Sequence, residues 1–117
     1  MGTLDLIELL GLTEEEFRQR FRNTPILRAK RVGLQRNACV ALGNLGDTAA
    51  VPSLGRALVE CEPLVRGHAA WALGRLGTSE AQTSLEDAAS REQDPEVLAE
   101  IQFALQDMRE PRAVSSE

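Results

Sequence analysis

A block of twelve residues occurs twice in this chain, 31 positions apart. Gln35-Arg36-Asn37-Ala38-Cys39-Val40-Ala41-Leu42-Gly43-Asn44-Leu45-Gly46 aligns with Arg66-Gly67-His68-Ala69-Ala70-Trp71-Ala72-Leu73-Gly74-Arg75-Leu76-Gly77. Self-similarity at such a period marks a stacked-repeat protein, in which each unit buries its apolar face only against its neighbours. The unit is long enough for one helical hairpin. Aromatics are 3 % of the chain and Tyr is absent, so Ala and Leu must fill the interior. Small residues permit this, because Ala and Gly at helix crossings let axes approach near the low end of the roughly 8–10 Å range. A solenoid of this kind presents a binding surface more readily than a catalytic pocket.

Local signals divide the chain further. Leu4 to Leu10 reads as a short helix stopped by Gly11. Thr13-Glu14-Glu15-Glu16 has the form of a capping box and starts a helix to about Phe21 or Arg22. Thr24 can cap and Pro25 suits the first position of the next helix, which runs to about Leu45. Leu27, Leu34, Ala38, Ala41, Leu42 and Leu45 form its apolar stripe. Gly33 costs roughly 1 kcal/mol relative to Ala and is a place for a kink. Gly46 and Gly77 read as left-handed caps. A return helix over 49–60 turns Val51, Leu54 and Leu58 inward. Glu62-Pro63 opens the second unit, Ser79 caps its second helix, and Asp94-Pro95-Glu96-Val97 opens a degenerate third. Its inner residues are Val97, Ile101, Ala104, Leu105 and Met108.

The expected fold is an all-α right-handed superhelix of about three hairpins over 24–109. Two short helices over 1–23 precede it, and a disordered tail over 110–117 follows.

The net charge of −5 argues against a polyanionic partner, but its distribution does not. Residues 1–16 carry five acids and no base, residues 17–78 ten bases and three acids, and residues 79–117 ten acids and three bases. No acid occurs from Phe17 to Gly46. A basic block in a polarised chain is a candidate site for phosphate. Its members are Arg18, Arg20, Arg22, Arg28, Lys30, Arg31 and Arg36, and guanidinium forks suit phosphate oxygens. A solvated face, or a surface against another domain, reads equally well from charge alone. Lys30, Asn37 and Asn44 recur every seven residues on one polar ridge. Their counterparts are His68 and Arg75 in the second unit and Glu100 and Asp107 in the third, so phosphate contact along the ridge would end at the second unit.

Other chemistry finds little support. His68 is the single histidine, and two cysteines 22 apart make neither a disulfide framework nor a metal site. No paired carboxylates or nucleophile–base set suggests catalysis by the chain. Trp71 is expected to pack between repeats, and Cys39 to be inert packing. No run of about 18 apolar residues is present, so no membrane partner is expected. The reading is a cytoplasmic, reduced-thiol monomer.

The pattern Asp/Glu-Pro-x-Val-Arg-x-x-Ala-Ala-x-Ala-Leu-Gly-x-Leu-Gly resembles the short HEAT-like repeat. A longer match covers most of the chain. It runs from Leu12-Thr13-Glu14-Glu15-Glu16-Phe17 through Phe21-Arg22-Asn23-Thr24-Pro25-Ile26-Leu27-Arg28-Ala29-Lys30-Arg31 to Arg36-Asn37. It then takes in Ala41-Leu42-Gly43-Asn44 and Arg66 to Gly74. This resembles the C-terminal part of the epoxyqueuosine reductase family, cobalamin-dependent iron–sulfur enzymes that complete queuosine in tRNA. The family's Cys-x-x-Cys-x-x-Cys runs do not occur here, and a four-iron cluster needs about four thiolates. The resemblance therefore implies no catalytic, cofactor-binding or metal-binding residue in this chain, with cobalamin and the clusters belonging to other domains. It implies a part that holds the tRNA anticodon stem-loop. Arg22, Arg28, Lys30, Arg31, Arg36, Asn37, His68 and Arg75 are the expected contacts. The alternative is a stand-alone HEAT-like scaffold for a protein partner, akin to repeat proteins related to phycobilin lyases, with an apolar or acidic footprint and weak salt dependence.

Overall fold

The computed structural model describes residues 2–20 and 27–109, and of residues 27–29 the helical backbone only. Among them are seven helices: α1 (Thr3–Leu10), α2 (Glu14–Arg20), α3 (Leu27–Leu45), α4 (Val51–Glu60), α5 (Pro63–Leu76), α6 (Ser79–Ala89) and α7 (Pro95–Arg109). The expected start at Asn23-Thr24-Pro25 and the segment 110–117 lie outside the described residues. Helices α3–α4 and α5–α6 are the two hairpins, and α7 opens the third unit. The first helices form one layer, α3 against α5 and α5 against α7, while α4 and α6 form the second. The result is elongated, 52 × 31 × 19 Å.

The caps are local chemistry. Glu16 N–H donates to Thr13 Oγ1 at 3.1 Å, and Thr13 N–H donates to Glu16 Oε1 at 2.9 Å, closing the capping box. Gly46 (φ 73°) and Gly77 (φ 69°) adopt the left-handed conformation that ends α3 and α5. Two caps differ from expectation. Thr78, not Ser79, caps α6, its hydroxyl accepting from Ala81 N–H at 3.0 Å. The return helix begins with a 3₁₀ turn over Thr48–Ala50, started by Asp47 Oδ1 accepting from Ala49 N–H at 3.0 Å. Helix α3 runs on through Gly33.

The core is continuous from Leu6 and Leu10 of α1 to Ile101 and Leu105 of α7. Leu42, Leu54, Leu58, Leu73, Leu85 and Ile101 are fully buried, each stabilising the fold by roughly 1.5–3 kcal/mol. The layer is drawn tight at two places. A Cβ on Gly43 would stand 3.2 Å from Ala72 Cα, and one on Gly74 would stand 2.9 Å from Ala104 Cβ.

The inner stripe of α3 departs from expectation at its end. Leu45 is 55 % exposed, and Leu34 and Ala41 are half-buried. Their counterparts on α5 are covered by α3, whereas α3 is covered on that side by the short helices α1 and α2.

Candidate nucleic-acid interface

The outer edge of the first-helix layer carries the ridge. Lys30, Asn37 and Asn44 are exposed on α3, Arg75 is exposed on α5, and Glu100 and Asp107 are exposed on α7. Arg36 Nε donates to Asn37 Oδ1 at 3.2 Å, which orients both side chains. Half-buried His68 sits in the Asn37 register, with Nδ1 2.9 Å from the Leu64 carbonyl oxygen. A carbonyl can only accept, so Nδ1 carries the proton and Nε2 is left to face a ligand. Arg75 lies over the Trp71 ring, 5.6 Å from its centroid, a cation–π arrangement that fixes the guanidinium against the ring. Trp71 itself packs between repeats, its Cζ3 filling the space where Gly43 lacks a side chain.

The basic block divides into two classes. Lys30, Arg36, Arg56 and Arg75 have no carboxylate within ion-pair distance among the described residues. The others are engaged. Arg18 pairs with Glu14 at 3.7 Å and Glu15 at 3.2 Å, and Arg20 with Glu8 at 2.9 Å. The Arg22 residue and the Arg28 side chain lie outside the described residues.

Arg31 is set apart from the other expected contacts. Its side chain is 12 % exposed, and it pairs with Glu62 at 3.6 Å. Its Nη1 donates weakly to Gln35 Oε1 at 3.5 Å, and its Nε is buried without a hydrogen-bond partner. One residue after Lys30 is about 100° around the helix, which turns Arg31 away from the ridge and toward the start of α5.

Two polar residues inside the repeat block escaped the sequence reading. Gln35 is fully buried, with Nε2 3.1 Å from the carbonyl oxygens of Leu10 and Leu12 and 3.3 Å from that of Leu9. It ties the end of α1 to α3. In the same register 31 residues on, Arg66 donates to the Cys61 carbonyl at 2.9 Å and to both oxygens of Glu92 at 3.0 and 2.8 Å. Each unit thus uses this position to hold the carbonyl end of the preceding helix. The available signal was a polar residue at matching places beside two apolar stripes. Burial works to raise the Glu92 carboxyl, but hydrogen bonds from Arg66 and the Asp94 amide hold it below the ordinary carboxylate range.

Burial, reinforced by nearby Cys61, pushes the Cys39 thiol up to about 12, and burial raises Cys61 as well, so both sulfurs are held as thiols. Among the described residues no three His, Cys, Asp or Glu side chains converge as a metal site, and no helix is long and apolar enough to cross a membrane.

A two-layer stack with glycine-tight crossings and an exposed ridge is an α-helical repeat solenoid. More narrowly, the HEAT repeats match residues 23–106, and the chain belongs to that family. It is 32 % identical over 99 residues to epoxyqueuosine reductase of Bacillus subtilis, covering 84 % of this chain and 26 % of the enzyme. Against the Bacillus cereus enzyme the identity is 34 % over 102 residues, covering 86 % and 27 %. A Geobacillus stearothermophilus protein known by its place 3′ of gldA is 38 % identical over 94 residues, covering 80 % of this chain and 44 % of that protein. Among solved structures, a crystal structure of epoxyqueuosine reductase with an epoxyqueuosine-modified tRNA-Tyr stem-loop superposes with a TM-score of 0.79 at 31 % identity, over 90 % of this chain and 28 % of that one. The chain thus matches the HEAT-like region of epoxyqueuosine reductases and spans about a quarter of their length.

Proposed function

We propose that this chain is the tRNA-holding HEAT-like part of an epoxyqueuosine reductase, acting in queuosine modification by gripping the anticodon stem-loop. The observation that carries this reading is the fit, over most of the chain, to a reductase solved with a tRNA stem-loop. The ridge supplies the chemistry. Lys30, Arg36 and Arg75 are cations without a carboxylate partner among the described residues, and Asn37, Asn44 and His68 between them offer hydrogen bonds to ribose and phosphate oxygens. Arg31, paired with Glu62, is not counted among these cations. Reduction, with its cobalamin and iron–sulfur clusters, falls in this reading to domains other than this chain.

Fluorescence anisotropy with a queuosine-family anticodon stem-loop, across a salt series, tests it. Each phosphate neutralised adds about −0.7 to −0.9 to the slope of log K against log salt. The triple variant K30E/R36E/R75E is expected to weaken binding at least tenfold at low salt and to reduce that slope by about 2–3. An unchanged slope and affinity in the triple variant would sink the reading.

A further inference from the structure

We infer that the groove between α5 and α7 seats a basic peptide segment of a protein partner, an arginine or lysine side chain lying against Trp71 and Leu64 with its charged head at Glu96 and Glu100. The groove has a volume of about 670 Å³, with Pro63, Leu64, Trp71 and Val97 among its apolar walls and Asp94, Glu96 and Glu100 along its α7 side.

The carboxylates decide the sign of the occupant. Glu96 and Glu100 stand one turn apart on α7, where like charges repel. Both are exposed, and among the described residues no base pairs with either. Asp94 adds to the negative field while its Oδ1 accepts from the Glu96 and Val97 amides at 2.9 and 3.2 Å. Against these three carboxylates the lining sets only His68 as a basic side chain, so a phosphate backbone is repelled here although the groove lies in the same layer as the basic ridge. The walls decide the shape. Arginine and lysine lay an apolar stem on apolar surface while the head reaches a charge, and a guanidinium stacks readily on indole, as Arg75 already does on the Trp71 ring.

The two crossings differ beside the groove. Trp71 closes the α3–α5 crossing over Gly43. Its counterpart one unit on, Phe103, is 68 % exposed, and Gly74 meets Ala104 instead. Exposed Phe103 and half-exposed Leu64 extend the apolar surface beside the acids. This inference does not rest on the tRNA reading, and the two fail on different probes and different variants.

Trp71 is the single tryptophan of the chain and lines the groove, so its fluorescence reports on occupancy there. The full chain is titrated at low salt with a six-residue peptide alternating arginine and leucine. A saturable change in Trp71 emission is expected, weakened roughly tenfold in E96Q/E100Q and unchanged in E80Q/E86Q, which removes two charges from α6. Circular dichroism checks that the variants remain helical. No saturable change, or equal affinity in E96Q/E100Q and the unsubstituted chain, would overturn the inference.

Discussion

The α3–α5 and α5–α7 crossings share one spacing but are held differently. At the first, Gly43 lies on Ala72 beneath the Trp71 ring, and Arg31 pairs with Glu62 at 3.6 Å. At the second, Gly74 meets Ala104 directly, with no aromatic lid, and Arg66 grips both oxygens of Glu92, a carboxylate only 8 % exposed. The outer faces differ as well: Asn37 and Asn44 at one end become Glu100 and Asp107 at the other. A repeat protein thus keeps its geometry with small residues and varies its chemistry at exposed positions of the same register.

Substitutions at the two glycines give the largest expected contrast. Gly74→Ala should cost about 2 kcal/mol, because Ala104 presses on that site from its own helix and backbone cannot easily give way. Gly43→Ala should cost about 1 kcal/mol, since the nearest atom is the edge of a half-exposed Trp71 ring that can swing aside. Urea denaturation measures both, and a Gly43 cost equal to that of Gly74 would break the comparison.

The polar ties come next. Arg66→Ala should destabilise by about 1–2 kcal/mol at neutral pH, leaving Glu92 with the Asp94 amide alone and the Cys61 carbonyl without its guanidinium donor. Glu92 is held below its ordinary range, so its contribution is present above the unfolded carboxyl value of about 4.3 and is lost as pH falls through the lower folded value. The stability gap between the unsubstituted chain and Arg66→Ala should therefore close as pH is lowered below about 4, and a gap constant with pH would remove the ion pair from the account. The smallest effect lies away from both crossings. A Cβ on Gly33 would meet nothing within 4 Å, so Gly33→Ala should stabilise by roughly 0.5–1 kcal/mol in thermal melts.

Much of this architecture was legible before any coordinate. The 31-residue echo located α3 and α5, and Pro63, Thr13 with Glu16, and the left-handed Gly46 and Gly77 marked helix ends within a residue or two. Each of these signals acts within one turn of its own position, through a hydrogen bond three residues away or a φ that only glycine adopts without strain. The site was less legible. Lys30 and Arg31 are neighbours of like charge, and no local rule tells the exposed one from the one paired 31 residues on. Leu34, Ala41 and Leu45 read as core because their periodicity is correct, yet the short helices α1 and α2 are what covers them.

The residues alone therefore settle the helical repeat, its period and its caps, since those follow from backbone propensity and apolar spacing. Packing settles which cations face outward, because Arg31, Arg66 and Glu92 are chosen as clamps by the distance between helices. That same distance places Trp71 over one crossing and leaves Phe103 beside an open acidic groove at the next.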